Sequence, residues 1–149
     1  MLNMNMKYHR LKDNIILRLV KGESIFDSIY KLIEKEKIVS GWVHGIGAIE
    51  NVKIGSYNLS EKKYNQIDLK GIYELTSLTG NITTKEGRPF LHLHVNVADH
   101  NCTAYGGHLF DANINATGEF IINAFNDNII REYDSEIGLF LMEFDSCGK

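Results

Sequence analysis

The stretch Pro89-Phe-Leu-His-Leu-His-Val-Asn-Val-Ala-Asp-His-Asn-Cys-Thr-Ala-Tyr-Gly-Gly-His-Leu-Phe110 decides how this chain is read. Leu91, Leu93, Val95 and Val97 alternate with Phe90, His92, His94 and Asn96. A period of two marks a strand with one apolar face, so His92 and His94 project together from the other face. Asp99-His100-Asn101 reads as a turn, with Asn101 suited to a left-handed backbone. A three-residue loop pairs Ala98 with Cys102. Counting outwards sets His108 of the return strand opposite His92, and Gly106 opposite His94. Three imidazoles then converge on one patch of one hairpin.

Outside the hairpin, the pattern is one helix followed by strands. Residues 1–7 read as a tail, with His9 close to it. Asn14 to Lys21 is β-branched and apolar, hence a strand. Ser24 is suited to cap a helix over Ile25 to Glu36, with Asp27 three residues on. Ile25, Ile29, Leu32 and Ile33 form its apolar stripe. Strands follow over Val39 to Val43 and Ala48 to Tyr57. Between them, His44-Gly45-Ile46-Gly47 reads as a tight turn or a close backbone approach. Lys70 to Ile82 reads as one or two strands with a bend at Gly80, Thr83 to Arg88 as a loop, and Asn113 to Ala124 as strand broken near Gly118. Asn126-Asp127-Asn128 is a turn and Leu139 to Phe144 a last strand. A helix segregated from a run of strands implies the α+β class, with a largely antiparallel sheet of about seven strands and one main N-terminal amphipathic helix.

At 149 residues, the chain is expected to form a single domain, residues 1–149. Its net charge is −3 with histidines neutral, and its basic residues are interspersed with acids, as in Glu34-Lys35-Glu36-Lys37. A chain that grips nucleic acid unaided carries a basic balance or patch, and neither is visible. No apolar run approaches the roughly 20 residues of a membrane span. Cys102 and Cys147 make no disulfide framework and read as free thiols in a reducing compartment. A cytoplasmic protein is the expectation.

With these residues in view, the chain resembles the plant-and-prokaryote conserved (PPC) domain. The matching pieces are Gly45-Ile46-Gly47-Ala48 with Gly55-Ser56-Tyr57, the segment Gly71 to Ile82, Pro89 to Val97 with its His-x-His, and Gly106-Gly107-His108-Leu109. Thr117-Gly118-Glu119, Arg131 to Asp134 and Gly138-Leu139 complete the order. The resemblance implies an α+β domain that assembles as a homotrimer. It implies a metal, assigned as zinc, on the positions of His92, His94 and His108. It also carries a provisional DNA-binding label, taken from plant relatives in which a separate AT-hook touches DNA. That hook needs Arg-Gly-Arg-Pro in a flexible basic context. Here Lys85-Glu86-Gly87-Arg88-Pro89 has an acid at the first arginine and runs straight into a strand.

Neutral imidazole is the commonest protein ligand for divalent transition metals, and three of them with one open position is the pattern of catalytic zinc. The other reading of the three histidines is a set of satisfied polar residues on a half-exposed sheet face. Water, Glu74 or a neighbouring subunit could supply a fourth ligand. Glu74 and His44 are the candidate catalytic groups, and each has a plainer reading: Glu74 paired with Arg131 or another cation, His44 as an exposed loop residue. Cys102 reads as a buried strand residue, His100 as the hairpin tip, and Arg131 with Asp134 as an ion pair. The leading expectation is a homotrimeric metal-binding module, acting in DNA-associated regulation or in sensing a small molecule. The alternative is a metal-dependent enzyme of hydrolase or lyase type. A purely structural oligomerisation domain is the third.

Overall fold

The computed structural model describes residues 6–144. The elements run β1 (Lys7–Leu11), β2 (Asn14–Val20), α1 (Ile25–Glu36), β3 (Ser40–Asn58), β4 (Lys63–Lys85), β5 (Arg88–Ala98), β6 (Ala104–Phe125), β7 (Ile130–Asp134) and β8 (Leu139–Glu143). The strands form one mostly antiparallel sheet; the exception is a short parallel contact that sets Thr84 beside Ile130 and Lys85 beside Arg131. The α+β expectation holds broadly, with eight strands instead of about seven. β1 and β7 are the strands the sequence hid, because both are short and largely exposed. Lys7 and His9 belong to β1, so the expected tail ends sooner; residues 1–5 and Cys147 lie outside the described residues.

Strands β3, β4, β5 and β6 close on themselves. β3 pairs with β4, β4 with β5, β5 with β6, and β6 returns to β3. Such closure needs long, bent strands, and these have them. β3 runs unbroken through His44-Gly45-Ile46-Gly47, where a turn was one expectation, and its register shifts there as a bulge bends the ladder. The glycines serve close packing: a Cβ on Gly45 would stand 2.1 Å from Phe120 Cδ1. Likewise β4 passes straight through Gly80, and β6 through Gly118. The β4–β5 connection is only Glu86-Gly87, both at positive φ, a tight hairpin turn where a DNA hook would need a free arm.

The β5–β6 hairpin departs from its expected register. Ala98 pairs with Ala104, and His94, not His92, lies opposite His108. The loop has five residues because Asp99 organises it. Its Oδ1 accepts the N–H groups of Asn101 and Thr103, both at 2.9 Å, and its carbonyl accepts from Cys102. Cys102 takes the left-handed backbone expected of Asn101, and its thiol is exposed in the turn where a buried strand position was expected. The slip is two residues, so every side chain keeps its face. That is why the histidines still converge.

Helix α1 begins where Ser24 Oγ accepts the Asp27 N–H at 3.2 Å and ends at Lys37 in the left-handed conformation. Its buried stripe of Ile25, Ile29, Leu32 and Ile33 joins the core of Ile15, Leu17, Leu19 and the inward residues of the ring. Burying each such side chain contributes about 1.5–3 kcal/mol. No helix among the described residues is long and apolar enough to cross a membrane.

Candidate metal centre

The ring's outer face carries the site. Leu91, Leu93, Val95 and Val97 point into the core, which turns His92 and His94 outward. His108 sits where β6 leaves β5 for β3, pairing with His94 on one side and Gly55 on the other. That crossing requires Gly107, whose missing Cβ would stand 2.7 Å from the Gly55 carbonyl oxygen. Gly106 faces Asn96, so these glycines permit strand contact; they are not space opposite His94.

One donor atom from each of His92, His94 and His108 lies within 4.8 Å of the other two. His92 Nε2 and His94 Nε2 are 3.2 Å apart. Two nitrogens bound to one tetrahedral zinc stand roughly 3.3 Å apart, so this spacing suits a single ion. Burial pushes the pKa of His92 down to about 4, with further contributions from His108, Arg131 and His94. Burial and His94 push His108 down to about 4 as well. Both rings are therefore neutral at pH 7, the form in which imidazole ligates. Among the described residues, the buried His108 Nδ1 has no hydrogen-bond partner, a cost that a cation at the ring would relieve.

Above the histidines, the β7–β8 hairpin docks on β4. Arg131 pins it by donating from Nε to Thr83 Oγ1 at 2.8 Å, from Nη1 to the Phe140 carbonyl at 2.8 Å and from Nη2 to Asn81 Oδ1 at 2.9 Å. Nη2 also stands 3.4 Å from His92 Nδ1. Tyr57 and Lys62 hold the far turn by donating to the carbonyls of Ile137 and Ser135, both at 2.6 Å. Between hairpin and ring lies a cavity of about 530 Å³. His92 and His108 line it, as do Arg131 and Lys85, and Phe26 and Tyr30 reach it from α1. Its remaining aromatic lining is Tyr64, Phe90, Phe110, Tyr133 and Phe140.

The other expected residues fall elsewhere. Glu74 is exposed and pairs with Ala98, seven residues along β4 from the Asn81 that faces His92, or roughly 20 Å away. Neither Glu74 nor Asp134 pairs with Arg131; Asp134 instead accepts the N–H groups of Glu136 and Ile137. His44 shares the outer face. It lies opposite Thr79, which lies opposite His94, so two strand spacings separate the two histidines. Thr79 Oγ1 is 3.4 Å from His44 Nδ1 and accepts from Trp42 Nε1 at 3.1 Å. Arg131, Asn81 and Thr83 are the site residues that sequence reasoning missed. Their signal was the polar pair Asn81 and Thr83, alternating with apolar residues inside a buried strand.

The model of the Plants and Prokaryotes Conserved (PCC) domain matches residues 6–126. The chain belongs to that family. Strands β7 and β8 lie beyond the matched residues, so the PCC core supplies the histidines and the C-terminal hairpin supplies Arg131. A Bacteroides thetaiotaomicron crystal structure provisionally described as DNA-binding is 30% identical over 95% of this chain and 99% of its own, with a TM-score of 0.91. A plant- and prokaryote-conserved protein of Pyrococcus horikoshii is 32% identical over 99% and 100%, with a TM-score of 0.82. An Archaeoglobus fulgidus protein described as metal-containing is 30% identical over 97% and 100%, with a TM-score of 0.81. A comparison with curated protein sequences finds no match.

Proposed function

We propose that this chain is a metal-binding PCC-domain protein whose His92, His94 and His108 hold one divalent ion, zinc, beside a chamber for a small molecule. The observation that carries the reading is the convergence of three donor nitrogens within 4.8 Å, two of them on rings held neutral at pH 7. An all-imidazole donor set with an open position suits zinc. The Archaeoglobus fulgidus relative described as metal-containing supports a bound metal. Metal analysis of protein purified after metal-replete expression tests it. One zinc per chain is expected, and its loss in His92→Ala. Wild-type protein free of metal overturns the reading.

A second reading, a metal-dependent enzyme of hydrolase or lyase type, is favoured by the cavity that His92 and His108 line. A metal there supplies Lewis acidity. His44 is the better placed of the two candidate acid–base groups, because Glu74 stands far along β4. A screen of small esters, lactones and phosphate esters without metal-dependent turnover removes this reading. We also propose a homotrimer, supported by the PCC kinship and by the exposed apolar side chains Ile46, Ile67 and Ile72; sedimentation tests it. DNA binding rests on the descriptions of solved relatives, the Bacteroides protein among them. With a net charge of −3, any such binding is feeble and falls steeply with salt.

A further inference from the structure

We propose that the cavity takes a small organic carboxylate with an aromatic or apolar body, its carboxylate held by Arg131 next to His92. This deepens the reading above and rests on its ligand chamber. Three observations carry it. Among the described residues, none lining the cavity is an Asp or Glu, while Arg131 and Lys85 both face it. Among the described residues, Arg131 makes no ion pair, although it is half-buried. A half-buried cation fixed by neutral acceptors alone attracts an anion.

The second observation is a count of donors. A guanidinium has five N–H groups. Thr83, the Phe140 carbonyl and Asn81 accept three of them. One N–H of Nη1 is left, and the second N–H of Nη2 has only the 3.4 Å contact with His92 Nδ1, which a carboxylate can displace to accept a two-point bond. The bonds to Thr83, Phe140 and Asn81 also fix the fork before any ligand arrives, so little side-chain entropy is lost on binding.

The third observation is the shape and chemistry of the walls. Tyr64, Phe90, Phe110, Tyr133 and Phe140 surround the charged end with ring faces and edges. Arg131 stacks 5.3 Å from the Phe90 ring centre and Lys85 stands 4.0 Å from that of Phe140, which keeps both cations at the wall. A volume of about 530 Å³ is within the range of small-molecule sites. A bare inorganic anion would leave these rings uncovered.

Titration calorimetry with phenylacetate, 2-phenylethanol and inorganic phosphate tests the inference, on the full chain both zinc-loaded and chelated. Phenylacetate should bind at least tenfold more tightly than either other probe. Arg131→Gln should abolish that preference, and Arg131→Lys should keep part of it. The comparison of acid with alcohol on the wild type needs no variant, so a poorly folding Arg131→Gln leaves the inference testable. Equal binding of acid and alcohol overturns it, as does phosphate binding as tightly as phenylacetate. Zinc held by the histidines with no preference for the acid sinks the carboxylate and spares the metal reading. An Arg131-dependent preference in a protein that takes up no zinc does the reverse.

Discussion

Arg131 Nη2 approaches His92 Nδ1 to 3.4 Å, joining a hairpin outside the family-matched stretch to a histidine inside it. The guanidinium can only donate, so this contact makes Nδ1 the acceptor and places the neutral ring's proton on Nε2. Nε2 is also the atom that faces His94. The same ring therefore serves two partners with opposite demands. Arg131 asks for an unprotonated Nδ1, while a metal on Nε2 asks for the proton to sit there.

Acidification should weaken the protein through these rings. His92 and His108 have folded pKa values lowered to about 4 from an ordinary 6.5. Between those values the unfolded chain binds protons that the folded chain refuses, so stability falls with pH there. The contribution is complete above about pH 6.5 and is lost as pH drops towards 4. Metal-free protein should melt several degrees lower at pH 5 than at pH 7.5. His92→Gln with His108→Gln should flatten that difference, as followed by circular dichroism. An unchanged melting temperature in the wild type would refute the assignment.

Gly45 tests the closure of the ring. Phe120 is packed in the core, and an added Cβ would overlap its ring at 2.1 Å. Gly45→Ala should cost about 1–3 kcal/mol, because a packed ring has nowhere to retreat. Urea unfolding monitored by Trp42 fluorescence measures it. A turn at this position would tolerate the change almost freely.

The sequence carried the site better than it carried the strands. Alternation along Leu91 to Val97 put His92 and His94 on one face, and a loop misjudged by two residues left His108 on that face, because side-chain direction depends only on parity. Strand lengths were not legible. Glycines at 45, 80 and 118 look like breaks, yet in a closed ring they are places where a neighbouring strand or ring side chain comes too near for a Cβ. Arg131 was misread as half of an ion pair with Asp134 because its partners, Asn81 and Thr83, are about fifty residues away and join it only through the short parallel contact of β7 with β4.

Tyr57 should govern the cavity's outer wall. Its hydroxyl donates to the Ile137 carbonyl at 2.6 Å and so holds the turn between β7 and β8. Tyr57→Phe removes that bond at a cost of about 0.5–1.5 kcal/mol, felt locally. Amide exchange should accelerate over Ile130–Glu143, while zinc content stays at the wild-type value. Loss of zinc together with the hairpin's protection would mean that the hairpin and the histidines form one cooperative unit.

Zinc and a carboxylate should bind with positive coupling. With zinc held at Nε2, the neutral His92 ring would carry its proton on Nδ1, could no longer accept from Arg131, and would leave that N–H free for the ligand. The zinc-loaded protein should therefore bind phenylacetate more tightly than the chelated protein, by about tenfold for one charged hydrogen bond of 1.4 kcal/mol. Linkage makes the effect mutual, so phenylacetate should raise zinc affinity by the same factor. Neutral 2-phenylethanol should show little coupling, since it cannot use the released donor as a charged acceptor would. His92→Ala takes up no zinc and lacks the competing acceptor, so it should bind phenylacetate more tightly than the chelated wild type does. Calorimetry on zinc-loaded wild type, chelated wild type and His92→Ala measures it. An affinity in His92→Ala no higher than that of the chelated wild type would mean that the metal's charge alone draws the carboxylate, with no exchange of donors at Arg131.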